Sequence, residues 1–121
     1  MRFDKDLVVV ELEALSAHPA LQQVVLFCFM YLIQKETFGA DFKSRTVKKL
    51  IVIDEAWSML SGGAGSGASS FIEAGYRKAR KANTSYLTGT QSIRDYEASA
   101  AAKAAFENSD WMFLLRQKAE S

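Results

Sequence analysis

The pattern of apolar and polar positions switches repeatedly between the period of a strand and that of a helix. Residues 7–12 (LVVVEL) are β-branched and mostly apolar, which predicts a strand buried on both faces. Ser16 then offers a cap and Pro19 sits near the first helical turn, where the missing N–H costs little. A helix is expected from Pro19 to Phe38, ending near Gly39. Its stretch VVLFCFMYLI, residues 24–33, has ten apolar residues in a row and reads as a helix buried nearly all round. Spanning a bilayer takes about 20 such residues, and Gln34, Lys35 and Glu36 close the run, so no membrane span is expected.

Residues 40–47 are polar and loop-like. A second strand is expected over 49–54 (KLIVID), ending abruptly in Asp54 and Glu55. The turn EAWSML and the glycine-serine stretch 61–70 lead into a helix over 70–82. A strand follows at 85–90 (SYLTGT), then the helix-start signal Ser92-x-x-Asp95, an alanine-rich helix over 98–107, and a last strand at 111–116 (WMFLLR). Strands alternate with helices four times, the pattern of right-handed β-α-β units. The expected fold is therefore α/β, a parallel sheet of about four strands flanked by helices, in one domain over 1–121.

Composition narrows the function. With 121 residues, 49% apolar and 24% charged, the chain suits one globular core. A net charge of +1 gives no whole-molecule attraction for nucleic acid or membrane, so such a role needs a local patch. Cys28, the single cysteine, cannot form an internal disulfide and reads as a small buried hydrophobe. His18 is the single histidine and has no catalytic partner pattern. No zinc-ligand spacing occurs.

Four places carry candidate chemistry. LIVIDE, residues 50–55, delivers two carboxylates at the C-terminal edge of a strand, where open α/β sheets bind ligands. It looks like a Walker B motif: Asp54 to hold Mg²⁺, Glu55 to orient and polarise a water. The competing reading is a strand that ends in acids favourable to the next helix. In TGTQS, residues 88–92, Gln91 is a candidate for donating to a γ-phosphate or holding the attacking water; Thr90 or Ser92 capping a helix is the alternative. Arg77, Arg80, Lys81 and Thr84 fall at i, i+3, i+4 and i+7, one stripe if helical. That stripe is a solvated face, a nucleic-acid contact, or the source of an arginine acting on a neighbouring subunit's nucleotide. Arg116 emerges at the end of the last strand.

SGGAGSGASS, residues 61–70, nearly spells the phosphate-binding motif G-x-x-x-x-G-K-[ST], with Gly62, Gly67 and Ser69 in place but Ala68 where the lysine belongs. It follows the Asp54 strand and a turn, not a strand of its own. The stretch reads as a flexible loop whose match is compositional.

Taken in order, FDKDLVVVELEAL, KKLIVIDEAWSML, FIEAGYRKARKANTSYLTGTQSIRDYE and ENSDWMFLLRQKAES resemble the large ATPase of conjugative type IV secretion systems, the TraC-like family, from about Phe3 to Ser121. The resemblance implies part of a RecA-like P-loop NTPase core with strand order 5-1-4-3-2, in which the strands above are 2, 3, 4 and 5. It implies an oligomeric ATPase, hexameric in the parent, on the cytoplasmic face of the bacterial inner membrane, reached through partners. ATP hydrolysis there would drive pilus assembly and transfer of plasmid DNA and protein, with channel and coupling proteins as partners. Asp54 and Glu55 take the Walker B positions, with Asp54 the Mg²⁺ and cofactor ligand. Gln91 takes the sensor position, Arg80 or Arg77 that of the trans-acting arginine, and Arg116 a further nucleotide-facing one. The family's P-loop is expected N-terminal to these residues, and no G-x-x-x-x-G-K-[ST] occurs among them. Without its backbone cradle and lysine, the chain by itself is expected neither to bind ATP tightly nor to hydrolyse it. With the P-loop strand absent, strands 4 and 5 are expected to pair directly or to join two copies edge to edge. Two other functions remain: a catalytically dead module docking on secretion-channel components, and a nucleic-acid-binding domain that uses the 77–84 stripe.

Overall fold

In the computed structural model, which describes residues 5–39, 46–55 and 67–116, two strands form where alternation of β-branched and apolar residues is strongest. β1 (Lys49–Ile53) and β2 (Thr84–Thr88) pair in parallel. The register runs from Lys49 opposite Thr84 to Ile53 opposite Thr88. Side chains alternate across a strand, and burial follows: Ile51, Ile53 and Tyr86 are half-buried, while Leu50, Val52 and Leu87 are exposed. One face of the pair is packed and the other carries apolar side chains in the open.

Among the described residues three helices accompany the strands: α1 (Pro19–Phe38), α2 (Gly67–Lys78) and α3 (Ala100–Glu107). α1 has the bounds that the sequence predicts, with Pro19 in its first turn. Its N-cap is His18 rather than Ser16, because Ser16 instead closes a 3-10 turn (Glu13–Leu15) through its backbone N–H. α2 tightens into a 3-10 turn over Ala79–Ala82 and stops at Asn83, which is left-handed at φ 54°. α3 is capped by the Ser99 hydroxyl, which accepts the N–H of Ala102 at 3.1 Å. Its alanines let α2 come close, and Ala101, Ala102, Ala104 and Ala105 are all buried. Phe71 and Ile72 of α2 and Met30 of α1 complete the core, with Ile53, Tyr76, Tyr86 and Tyr96 packed around it.

The expected sheet of about four strands is corrected to two among the described residues. Residues 7–10 join no ladder, and Leu7 and Val9 are each 79% exposed. Residues 111–116 have no regular structure, and Trp111 is 82% exposed. Strands this apolar are stable only with cover on both sides. The outer face of β1 and β2 carries no packed layer among the described residues, so pairing there gains little burial. The P-loop motif, whose strand the resemblance places beside the last one, is not in this sequence.

α1 is not buried all round either. Leu26, Met30 and Ile33 meet the core, but Leu21, Val24, Phe27 and Tyr31 are exposed, and so is Cys28. A run that is apolar on every side has no preferred face, and α1 packs chiefly on α2. Residues 67–70, expected in the flexible loop, form the first turn of α2. Residues 61–66 of that loop and the turn residues 56–60 lie outside the described residues.

Candidate functional site

The parallel pair brings two of the singled-out segments to one edge. Asp54 and Glu55 leave the C-terminal end of β1, and Gly89, Thr90 and Gln91 leave that of β2 beside it. The ladder continues one step past the strands, with Gly89 N–H donating to the Ile53 carbonyl at 2.9 Å. Asp54 Oδ1 accepts the N–H of Glu55 at 2.9 Å. Glu55 takes a left-handed backbone, φ 51°, at a cost of about 1–2 kcal/mol for a residue with a side chain. That sharp turn brings its own N–H back onto the Asp54 carboxylate. Both acids are exposed.

Gly89 makes the juxtaposition possible. A Cβ there would stand 3.2 Å from Asp54 Oδ1, so a larger residue would press on the carboxylate. Beyond it, Thr90 and Ser92 lock the turn: Ser92 N–H donates to Thr90 Oγ1 at 3.0 Å, and the Thr90 hydroxyl contacts the Asp95 carboxylate. Ser92 Oγ accepts the N–H of Arg94 at 3.3 Å and caps the 3-10 turn Ile93–Glu97. Ser92 therefore does perform the capping that the sequence suggested. Gln91 lies between these fixed points with its side chain exposed.

The cations lie elsewhere. The Arg80 carbonyl accepts the N–H of Asn83 at 3.3 Å, and the Asn83 carbonyl accepts that of Lys49 at 3.0 Å. Arg80 is thus at the N-terminal edge of the pair, opposite Asp54. Four strand steps separate the two edges by about 13 Å, beyond the reach of one arginine side chain. Arg77 is engaged by Glu73 one helical turn away, at 3.0 Å. The continuous stripe through Arg77, Arg80, Lys81 and Thr84 does not form: α2 ends at Lys78, and Thr84 is buried in β2. Asn83 reverses the chain inside the span that helical spacing required. Arg116 is exposed at the end of the stretch 111–116.

A Mg²⁺-nucleotide is the group that the Walker B reading implies. Among the described residues no three His, Cys, Asp or Glu side chains gather as a metal cage. Mg²⁺ bound with phosphate needs only one or two carboxylates, and the exposed Asp54 at a strand edge fits that sparse role. Asp54 would hold the ion and Glu55 would face an attacking water; the bound ion would offset phosphate charge. The phosphate cradle itself has no counterpart in the sequence.

Sequence reasoning missed two features. One is Gly89 as the spacer for Asp54, for which the only signal was a glycine inside TGTQS. The other is a group of hydroxyls on Tyr76, Thr88 and Tyr96, which no motif marked because the three residues come from separate elements.

The model of the TraG P-loop domain family matches residues 2–120 of the chain. Protein TraC of Escherichia coli (strain K12) is 38% identical over 123 aligned residues, which cover 99% of this chain and 14% of that protein. The chain thus spans a small part of the curated relative it matches. No solved structure matches it significantly.

Proposed function

The chain belongs to the TraG P-loop domain family, and from that premise we propose that it supplies the Walker B and sensor part of a motor that hydrolyses ATP in conjugative transfer. The observation that carries this reading is the meeting of Asp54, Glu55 and the Gly89–Gln91 turn at one edge of two parallel strands. Asp54 holds Mg²⁺, Glu55 polarises the attacking water and Gln91 orients it. A nucleotide's β- and γ-phosphates need a P-loop that this sequence lacks, so the 121 residues act together with one and do not hydrolyse ATP alone.

In this reading the motor is a ring of copies on the cytoplasmic face of the inner membrane that powers pilus assembly and the passage of DNA and protein. Arg80 serves a neighbouring copy: its place at the far edge leaves no route to Asp54 of its own chain. Arg77 is the weaker choice because Glu73 already holds it, although an exposed pair of this kind is worth less than about 1 kcal/mol.

The test is a chimera in which this segment replaces the matching part of TraC. Asp54→Asn and Glu55→Gln are each expected to lower ATP turnover by about 100-fold or more, and Gln91→Ala by about 10-fold or more. Turnover unchanged by Glu55→Gln would sink the reading. A second reading, a module that docks on secretion-channel proteins, is favoured by the open apolar face of Leu50, Val52 and Leu87. It predicts normal transfer with Glu55→Gln and loss of transfer with Leu50→Glu.

A further inference from the structure

Thr88, the last residue of β2, is where three elements meet through hydroxyl groups. Its Oγ1 lies 2.9 Å from the Tyr76 hydroxyl on α2 and 3.2 Å from the Tyr96 hydroxyl on the 3-10 turn 93–97. Tyr96 also donates to the Thr88 carbonyl, 3.3 Å away. All three residues are half-buried. Burial raises the Tyr76 pKa, opposed in part by its hydrogen bonds to Thr88 and Ser109, so the group stays a neutral hydroxyl near pH 7.

The rings alone do not account for this arrangement. Tyr76 and Tyr96 pack against the core, and phenylalanine would pack as well without the cost of drying a hydroxyl. The hydroxyls instead converge on one strand-end residue, three positions before Gln91. On the far side of Gln91, the Thr90–Ser92–Asp95 bonds pin the turn again. An exposed amide that must hold a water at a fixed place needs backbone anchored on both sides, since loss of about an ångström in position can cost 100-fold in rate. Partly buried networks supply such anchoring because hydrogen bonds strengthen away from water.

We propose that Tyr76 and Tyr96 are positioning residues for Gln91: through Thr88 their hydroxyls fix the turn Gly89–Gln91 against Asp54. The inference rests on the reading of Gln91 given above. It also ties α2, which carries Arg77 and leads to Arg80, to the sensor turn, so a shift of α2 by a neighbouring copy would be felt at Gln91.

The test uses Tyr76→Phe and Tyr96→Phe, which keep the rings, in two settings. In the 121-residue chain, amide exchange by NMR is expected to quicken about 5- to 10-fold at Gly89 and Ser92, the size of one lost hydrogen bond, with Ala101–Ala105 unchanged. Exchange that rises equally everywhere, or not at all at Gly89 and Ser92, overturns the proposal. In the TraC chimera, kcat is expected to fall about 10-fold with KM for ATP unchanged. There Thr88→Ser retains the rate and Thr88→Val does not. A normal kcat for both phenylalanine variants, where Gln91→Ala lowers it, overturns the positioning role alone. A normal kcat for Gln91→Ala overturns the reading of Gln91 beneath it. Should a chimera variant fail to fold, the exchange measurement still decides.

Discussion

A Cβ on Gly75 would stand 2.5 Å from Cζ of Tyr86 and 2.7 Å from its hydroxyl oxygen. Helix α2 therefore lies directly on the Tyr86 ring, which also meets Phe71 edge-on and Tyr76 at a tilt. Gly75→Ala forces that ring or the helix to move, an overpacking cost of about 1–3 kcal/mol. The helix propensity gained by alanine, about 1 kcal/mol, offsets part of it. The expected net result is a lower urea midpoint with an unchanged slope. A midpoint equal to or above that of the parent would contradict the close approach.

Tyr86 is the one described residue with a buried polar side-chain atom that finds no partner, its hydroxyl. Burial, with Tyr76 adding a smaller effect, pushes its pKa up to about 12. The folded pKa lies above the unfolded value of 10.0, so the folded state favours the neutral phenol. That contribution is complete below pH 10 and is lost as pH rises from about 10 toward 12. Tyr86→Phe is expected to be neutral or stabilising near pH 7, because an unsatisfied buried group costs about 1–3 kcal/mol. It should also flatten the alkaline fall in stability. Urea titrations at pH 7, 10 and 11.5 check both parts, and a steeper alkaline fall in the variant would refute the assignment.

Asn83 holds the left-handed reversal between α2 and β2 at φ 54°, and its side-chain amide donates to the Thr46 carbonyl at 3.3 Å. Asn83→Ala is expected to lose about 1–2 kcal/mol from backbone strain. Asn83→Gly removes the strain and forfeits only the exposed side-chain bond. Glycine is thus expected above alanine in thermal midpoint, and the reverse order would show that φ is not what selects asparagine here.

Where a segment's local chemistry also decided its packing, the sequence was legible. Pro19 and the apolar run set α1 to the residue, the alanines set α3 within two residues, and LIVID gave β1. The edge that joins Asp54 to Gly89 followed from adjacent parallel strands, although the spacer role of Gly89 did not. Elements that depend on cover which the described residues do not supply were misread. LVVVEL and WMFLLR have the strand pattern but gain little burial here, and the all-round apolar surface of α1 concealed that it packs on one side. Arg77 to Thr84 misled for another reason. Helical spacing was assumed through Asn83, where a left-handed residue ends the helix.

Cys28 makes the exposure of α1 directly measurable. An aromatic disulfide reagent is expected to label the native chain stoichiometrically at the rate of an exposed thiol, with denaturant speeding it little. A thiol that reacts only after unfolding would place that face of α1 against something, such as a second copy, and labelling that slows as protein concentration rises would identify the copy.

Gly89 sets how close β2 can bring its turn to Asp54. Gly89→Ala adds a methyl 3.2 Å from Asp54 Oδ1, tighter than ordinary van der Waals contact. The carboxylate accepts the N–H of Glu55, so it cannot swing away without freeing the residue that turns the chain at φ 51°. The strain is local and falls on an exposed carboxylate, and Gly89 N–H can still reach Ile53. Stability of the 121-residue chain is therefore expected to change by less than about 1 kcal/mol. In the TraC chimera the same change is expected to lower ATP turnover about 10-fold or more, the cost of misplacing a group by about an ångström. Excess Mg²⁺ restores part of the rate if Asp54 holds the ion, because a displaced ligand weakens binding. An unchanged rate, or a loss matched by an equal loss of stability, would mean that the Asp54–Gly89 contact is packing alone.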